Sequence, residues 1–166
     1  MNIAPPVPAL HRRIPQHLAR RFAQICASML AEIPAPFSAP GWHFALLRQI
    51  RETPELDRNG HATALGSDAT STGKALEMFE QRGYVVRTPR PGDRRANTYA
   101  ITPAGEALFQ DLAGPVRAVA SRILSPLTDA EADTLLALLT KLVNAHEDHA
   151  RPGGGRRKPS RPKKPT

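Results

Sequence analysis

The chain has 166 residues, of which 40% are hydrophobic, and 23 basic against 15 acidic side chains give it a formal net charge of +8. This length predicts one domain with tails, and no apolar run approaches the roughly 18 residues that a membrane helix needs, which excludes a membrane-spanning protein. A single cysteine forms no internal disulfide, and the proline-rich start lacks a secretory signal, so we expect a cytoplasmic protein.

Most of the net positive charge lies at the end of the chain. Residues 151–166 contain seven basic side chains and no acid, whereas the preceding 150 residues carry a net charge of only +1. This tail has no apolar side chain with which to offset its ordering entropy. We therefore predict a flexible arm over residues 1–15, a folded domain over 16–149 and a disordered basic tail over 150–166. Such a tail suits a polyanion, although basic tails also serve as solubilising ends.

Two helices are predicted at the start of the folded domain. Apolar side chains three or four residues apart predict an amphipathic helix over residues 16–33. After a proline-rich break, Ser38 is expected to cap a second helix that continues to about Arg51. Its buried face is marked by Trp42, Ala45 or Leu46, and Ile50.

The next two helices are short and closely spaced. Residues 56–65 predict a weak helix, because Gly60 disfavours it and Gly66 follows it. Ser67 or Asp68 can then cap a helix over residues 69–82, with its apolar side facing inward and Gly83 as its stop. Its first turns are polar and carry Thr70, Ser71, Thr72 and Lys74.

A β-hairpin is predicted to follow. Residues 84–88 and 98–102 are short β-rich runs, and the polar stretch 89–97 is expected to form the loop that joins them. This segment has a local net charge of +3, because only Asp93 opposes its arginines, which are Arg87, Arg90, Arg94 and Arg95.

Two longer helices end the domain. Thr102 is expected to cap a helix over residues 103–124, with a break or kink at Gly114-Pro115. A capping box formed by Thr128 and Glu131 predicts the start of the last helix, over residues 129–146.

This order of elements predicts a mainly α fold with a small β-hairpin, and specifically a winged helix-turn-helix with a helical dimerisation region. A helix whose first side chains are short can approach the DNA major groove closely, and arginine binds phosphate or enters a narrow minor groove. The same residues could instead form a helix cap and a solvated loop. The candidate DNA-binding residues are Ser67, Thr70, Ser71, Thr72, Lys74, Arg87, Arg90, Arg94 and Arg95.

Three motifs resemble the MarR family of transcriptional regulators: residues 76–87, the Pro91-Gly-Asp-Arg-Arg-Ala96 segment and the Ile101-Thr-Pro-Ala-Gly-Glu-Ala-Leu108 segment. The resemblance implies a homodimer built from residues 16–37 and 103–149, with a winged helix-turn-helix lobe over 38–102. It also implies that Asp93 braces the wing while Arg94 or Arg95 reaches DNA. One departure is Gly60-His61-Ala62, where the family usually has a Leu-Ala pair.

The resemblance further implies a small, often aromatic or acidic effector, bound near the first and second helices. Trp42 could stack on an aromatic ring, while Arg21, His17 or His43 could pair with a carboxylate. The alternative is that Trp42 belongs to the core and the other three side chains lie on the surface.

Other candidate sites have simpler interpretations. Cys26 is expected to be a buried structural thiol rather than a peroxide sensor, and His146 and His149 to lie at a fraying helix end rather than at a metal. No catalytic motif or cofactor motif is present, which argues against an enzyme. We expect a homodimeric repressor that binds a pseudo-palindromic DNA site and is released by an effector. The alternative is a basic architectural protein with little sequence specificity.

Overall fold

The computed structural model describes residues 14–37, 40–90 and 92–149. The basic tail, most of the N-terminal arm and the expected Ser38 cap lie outside these ranges. So do the side chains of Asp93, Arg94 and Arg95, of which only the backbone is described. The helices are α1 (Pro15–Leu30), α2 (Pro40–Glu52), α3 (Arg58–Ala64), α4 (Ala69–Gln81), α5 (Pro103–Leu124) and α6 (Asp129–Ala145), and the strands are β1 (Val85–Arg90) and β2 (Asp93–Ile101).

This order confirms the mainly α winged helix-turn-helix with a small hairpin. Asp57 caps α3 through the backbone N–H of Gly60, so this glycine lies in the first helical turn rather than in a helix interior. The capping box at the start of α6 is present, with Thr128 and Glu131 bonded reciprocally. Gly83 ends α4 with φ +72°, a left-handed conformation that side chains disfavour, and this turns the chain directly into β1.

The hairpin differs from the prediction. The strands extend through most of the expected polar loop, so that Arg90 lies on β1, and Arg94 and Arg95 lie on β2. Pro89 pairs with Asn97 and Arg90 with Asp93, which leaves residues 94–96 without partners on β1. Polar side chains alone did not reveal these strands, because backbone pairing across the hairpin overrides their low β propensity.

The core of the helix-turn-helix lobe is formed by α2, α4 and the hairpin. Its fully buried members on α2 and α4 include Leu46, Ile50, Leu76 and Phe79. Trp42 is only partly buried at the edge of this core, whereas His43 and Leu47 are buried, so the inner face of α2 is rotated from the predicted one. A second, smaller core joins α5 to the segment after α1, through Ile33, Leu112 and Val119.

α5 is one continuous helix, so of the predicted break or kink at Gly114-Pro115 the break is wrong. Leu112 and Val119, which lie on either side of Pro115, are both buried in the smaller core. Tertiary packing on both sides of the proline therefore maintains the helix despite the hydrogen bond that proline cannot donate.

α2 and α5 are joined by an ion pair and by stacked rings. Arg51 Nε lies 2.9 Å from Glu106 Oε2, and the Arg51 guanidinium lies 5.0 Å from the Phe109 ring centroid. The Phe109 ring is stacked on Phe44 at 4.9 Å. Hydrogen bonds from Gln110 and Arg51 lower the pKa of the Glu106 carboxyl. These contacts fix the helix-turn-helix lobe to the long helix.

α1 and α6 bury no residue completely. Their apolar side chains are spaced as in a packed helix but are exposed, and α6 packs only sparsely against the other described elements. Cys26 is half-buried on α1 rather than buried as expected. The exposed apolar residues of these two helices are Leu18, Phe22, Ile25, Leu136, Leu138, Leu139, Leu142 and Val143. Within the described ranges, no helix has the length and apolar character needed to cross a membrane.

Candidate nucleic-acid interface

The orientation of α4 decides which of its side chains are available to a partner. Ala75, Leu76 and Phe79 are buried in the lobe core. Thr70, Ser71 and Lys74 lie on other sides of the helix and are exposed. Ser67, in the turn before α4, is partly exposed. The exposed surface of α4 therefore presents short hydroxyls, one lysine and the acid Glu77. Short side chains at the start of the helix allow it to approach a major groove closely.

Thr72 does not belong to this surface. Its side chain is fully buried, and its Oγ1 has no hydrogen-bond partner among the described residues. Thr72 lies one helical turn before Leu76 and therefore on the core side of α4. The prediction that Thr72 contacts DNA is wrong, because residue type alone did not give the rotation of the helix.

The N-terminus of α4 is already capped. Asp68 Oδ1 accepts hydrogen bonds from the backbone N–H of Thr70 at 3.1 Å and of Ser71 at 2.9 Å. These donors would otherwise favour an anion at the start of the helix. A phosphate near α4 therefore has to be bound by side chains.

Two of the predicted DNA-binding arginines have partners inside the protein. Arg87 Nε lies 3.5 Å from Glu80 Oε1 on α4. Arg90 lies 3.8 Å from Asp57 Oδ2 and donates a 2.9 Å hydrogen bond to the backbone carbonyl of Glu55. The wing is thereby attached to α4 and to the start of α3, which sequence spacing did not reveal. Asp93, Arg94 and Arg95 belong to β2, and their expected roles concern side chains that are not described.

A polar cavity of about 370 Å³ lies between α3, α4 and the hairpin. It contains side chains of both charges, which makes it unlike a simple basic groove. On the α3 side it is lined by Arg58, which the sequence analysis did not select. Its lining is Asp57, Arg58, Asn59, Gly73, Glu77, Glu80, Arg87, Ala96, Asn97 and Tyr99.

A second depression, of about 500 Å³, lies on the other side of α4, against α2. Aromatic rings form one wall, where His43 is stacked on Phe37 at 4.6 Å and lies edge-on to Trp42 at 5.1 Å. Two cations, Lys74 and Arg82, line the opposite side. Arg82 also donates a hydrogen bond to the Pro36 carbonyl.

The structure brings together two of the four predicted effector residues. Trp42 and His43 line the second depression, whereas His17 and Arg21 are exposed on α1 and are not part of it. Phe37, in the segment between α1 and α2, forms part of the wall of this depression, where the prediction placed side chains of α1. His43 is buried rather than displayed on the surface.

α3 contains a buried polar side chain, that of His61. Its side chain is fully buried, and neither ring nitrogen has a hydrogen-bond partner within the described part of the chain. Its ring centroid lies 6.2 Å from that of Tyr99. Burial lowers the pKa of the imidazole, against the opposing effect of the nearby Asp57 and Glu55 charges. The helix-turn-helix core therefore contains a histidine that is held neutral.

The rings of His146 and His149 lie 6.3 Å apart just after α6. Among the side chains that the structure describes, no group of three or more histidines, cysteines or acids is arranged to bind a metal ion.

Comparison with known proteins shows what this lobe is similar to. A model of the MarR family matches residues 43–96, which include most of α2, α3, α4 and the hairpin up to the middle of β2. A putative transcriptional regulatory protein for the hcr operon of Thauera aromatica is 30% identical over 99 residues. The match covers 60% of this chain and 60% of that relative, so only part of either protein is compared.

Solved structures show the same fold over most of the chain. A structure of BpsR from Bordetella bronchiseptica, described in terms of regulation of its DNA binding by 6-hydroxynicotinic acid, has a TM-score of 0.70 at 23% identity. It covers 76% of this chain and 96% of that one. A mutant MarR from E. coli in complex with operator DNA also has a TM-score of 0.70, at 24% identity, and covers 82% of this chain and 99% of that one.

Because His61 is neutral in the folded protein, we expect the free energy of unfolding to depend on pH. Histidine in an unfolded chain titrates near pH 6.5, and the pKa of His61 is lowered in the folded protein. Below about pH 6.5 the unfolded chain binds a proton that the folded protein does not, so the free energy of unfolding decreases as the pH falls. We expect His61→Leu to reduce this pH dependence and to raise the stability at neutral pH by about 1–3 kcal/mol, because it removes two unpaired nitrogens. Urea unfolding at several pH values measures both effects.

The exposed His146 provides the control, and His146→Gln should leave the stability at neutral pH close to that of the unmodified protein. A His61→Leu variant that keeps the full pH dependence would contradict the assignment of acid sensitivity to this residue.

Proposed function

We propose that this chain is a MarR-family regulator, a homodimeric transcriptional repressor that binds a pseudo-palindromic operator and is released by a small effector. The observation that carries the proposal is the exposed surface of α4, where Thr70, Ser71 and Lys74 project from a helix whose other side is buried. A helix presented in this way, beside a hairpin that contains four arginines over residues 87–95, has the geometry of a winged helix-turn-helix on DNA.

The relatives support a regulator that binds DNA. The Thauera aromatica relative is named as a putative transcriptional regulatory protein, and the E. coli MarR structure contains operator DNA. Within α4, Lys74 is exposed and has neither an ion pair nor a hydrogen bond to another described residue. It can therefore bind a phosphate without first breaking an internal contact.

The exposed apolar faces of α1 and α6 support dimerisation with a second copy of this chain. Leu138 and Leu142 are one turn apart on α6 and are 55% and 57% exposed, and Leu18, Phe22 and Ile25 follow the same spacing on α1. An apolar stripe of this kind is typical of a helix that packs against another one. Two-fold symmetry places two α4 helices about one DNA turn apart, near 34 Å, which a pseudo-palindromic operator matches.

The depression beside Trp42 supports an effector site. Aromatic rings on one wall and the Lys74 and Arg82 cations on the other suit a small aromatic carboxylate. BpsR, with which this chain shares its fold, is regulated by 6-hydroxynicotinic acid, a ligand of this chemical class. An effector bound there contacts α4 itself, and it lowers DNA affinity to the extent that it binds the DNA-free state more tightly. This proposal uses Trp42 and His43 and assigns no role to His17 or Arg21.

Substitution of Lys74 tests the DNA interface. We expect Lys74→Ala to weaken binding to an operator duplex about tenfold at low salt, because a charge-assisted phosphate contact is lost. The operator is first recovered by selecting genomic fragments that bind the purified full-length protein, and affinities are then measured by fluorescence anisotropy. Lys141→Ala, which removes an exposed lysine from α6, is the matched control and should bind as the unmodified protein does.

The same selection separates a regulator from an architectural protein. Without residues 151–166, a regulator keeps its preferred sequence and shows a shallower salt dependence, whereas an architectural protein loses nearly all affinity. Recovery of no common half-site from the genomic fragments would refute the proposed function.

Dimerisation is tested on α6. Leu142→Glu places a charge in the exposed apolar stripe, so we expect a monomer by light scattering coupled to gel filtration, with affinity for the pseudo-palindrome lost. Far-ultraviolet circular dichroism should be retained, because Leu142 is not buried within its own chain. Ala137→Glu, at an exposed position on the opposite side of α6, is the control and should remain dimeric. A Leu142→Glu variant that stays dimeric would exclude this face as the interface.

The single tryptophan reports directly on the effector site. We expect 6-hydroxynicotinate to change the fluorescence of Trp42 saturably and to lower the affinity for the operator. Arg82→Gln removes a lining cation and should weaken the fluorescence response. If the probe lowers DNA affinity while the Trp42 signal stays unchanged, the effector binds elsewhere.

A further inference from the structure

We infer that Arg58, at the start of α3, is a DNA phosphate contact and that the absence of a side chain at Gly73 on α4 leaves room for the Arg58 side chain in this position. This inference rests on the proposed DNA-binding function and extends it to a residue outside the helix and wing that the sequence indicated. Three observations carry it: the charge pairing of the lobe, the contact between Arg58 and Gly73, and the position of α3.

The pairing of charges leaves Arg58 available. In the same cavity, Arg87 is paired with Glu80, and Asp57 is paired with Arg90. Arg58 is exposed, and it has no ion pair or hydrogen bond with any residue that the structure describes. A cation that is already free of internal partners binds a phosphate without the cost of breaking an ion pair. Arg58 therefore suits this role better than Arg87 or Arg90 does.

The missing side chain of Gly73 makes room for Arg58 against α4. A Cβ atom at position 73 would lie 3.1 Å from Arg58 Cδ and 3.6 Å from Arg58 Nη1, so the arginine chain crosses α4 at this glycine. Gly73 itself is buried, although its neighbour Lys74 is exposed. Glycine inside a helix is less favourable than alanine. The Arg58 side chain packs against α4 in the space that a side chain at position 73 would fill.

The location of α3 specifies the kind of contact. α3 precedes α4 and is the first helix of the helix-turn-helix, the one that crosses the DNA backbone while the second enters the groove. Arg58 occupies the first residue of α3, beside the polar cavity that the wing closes. Glu77 lines the same cavity and has no ion pair with a described residue. A phosphate contact carries no sequence information, so Arg58 should strengthen binding to every duplex equally.

The test measures the affinities of full-length variants for the selected operator and for a duplex of random sequence. We expect Arg58→Ala to weaken binding to both by the same factor, on the order of tenfold at low salt, and to reduce the slope of log affinity against log salt by about one per protomer. Arg117→Ala, which removes an exposed arginine from α5, corrects for the change in net charge and should have a much smaller effect.

Gly73→Ala tests the positioning without removing a charge. Alanine favours the helix, so this variant should unfold at a temperature at least as high as the unmodified protein, while its DNA affinity falls because Arg58 is displaced. In the Arg58→Ala background, Gly73→Ala should cause no further loss of affinity. This double-mutant comparison separates displacement of Arg58 from a direct clash between the new methyl group and DNA.

The outcomes distinguish this inference from the proposed function. If the unmodified protein binds the operator and Arg58→Ala changes affinity no more than Arg117→Ala does, the phosphate contact is refuted while the regulator stands. Equal losses from Gly73→Ala in both backgrounds would refute the positioning by Gly73. A larger loss on the operator than on random DNA would replace the phosphate contact with a base contact. If the unmodified protein binds no duplex, both the inference and the proposed function fail.

Discussion

The burial of one side of α4 is the constraint on which the rest of the lobe depends. Leu76 and Phe79 are fully buried against α2 and the hairpin, and this burial fixes the rotation of the helix. The rotation places Thr72 inside and Thr70 outside, although both residues are threonine. Full burial of an apolar side chain of this size contributes about 1.5–3 kcal/mol to the free energy of unfolding. A hydrogen bond made by a surface hydroxyl contributes less. The apolar residues therefore decide which polar ones face a partner.

Internal ion pairs divide the positive charge of the lobe into two groups. Arg87 and Arg90 join the wing to α4 and α3, through Glu80 and Asp57. Exposed pairs of this kind stabilise a protein little, but they fix where a small hairpin lies relative to the helices. Arg58 and Lys74 are exposed and unpaired within the described residues, on either side of α4. The net charge of the hairpin did not show that Arg87 and Arg90 are paired within the protein, nor that Arg58 and Lys74 remain available to a partner.

The contacts between α2 and α5 connect this lobe to the long helices. Arg51 and Glu106 form an ion pair beside the stacked rings of Phe44 and Phe109, and α2 also shares the lobe core with α4. α1 and α6 leave apolar side chains exposed, while the lobe itself has a closed core. Under the proposed function, a second copy covers these side chains, and the distance between the two α4 helices is set by the packing of helices remote from DNA.

The sequence by itself determined the local features. Caps at Thr102 and Thr128, the left-handed turn at Gly83 and the order of helices and strands follow from hydrogen bonding and steric preferences that span only a few residues. For α4 the sequence left Ser67 and Asp68 as alternative caps, and the structure shows Asp68. The motifs near the wing were specific enough to indicate the family. Only the tertiary structure decided what depends on distant neighbours: the continuity of α5 across Pro115, the extent of the hairpin, the burial of Thr72 and His43, and the pairing of Arg90 with Asp57. These features arise from packing and electrostatic contacts between segments far apart in the chain. The types and spacing of residues along the chain do not indicate which distant segments come into contact.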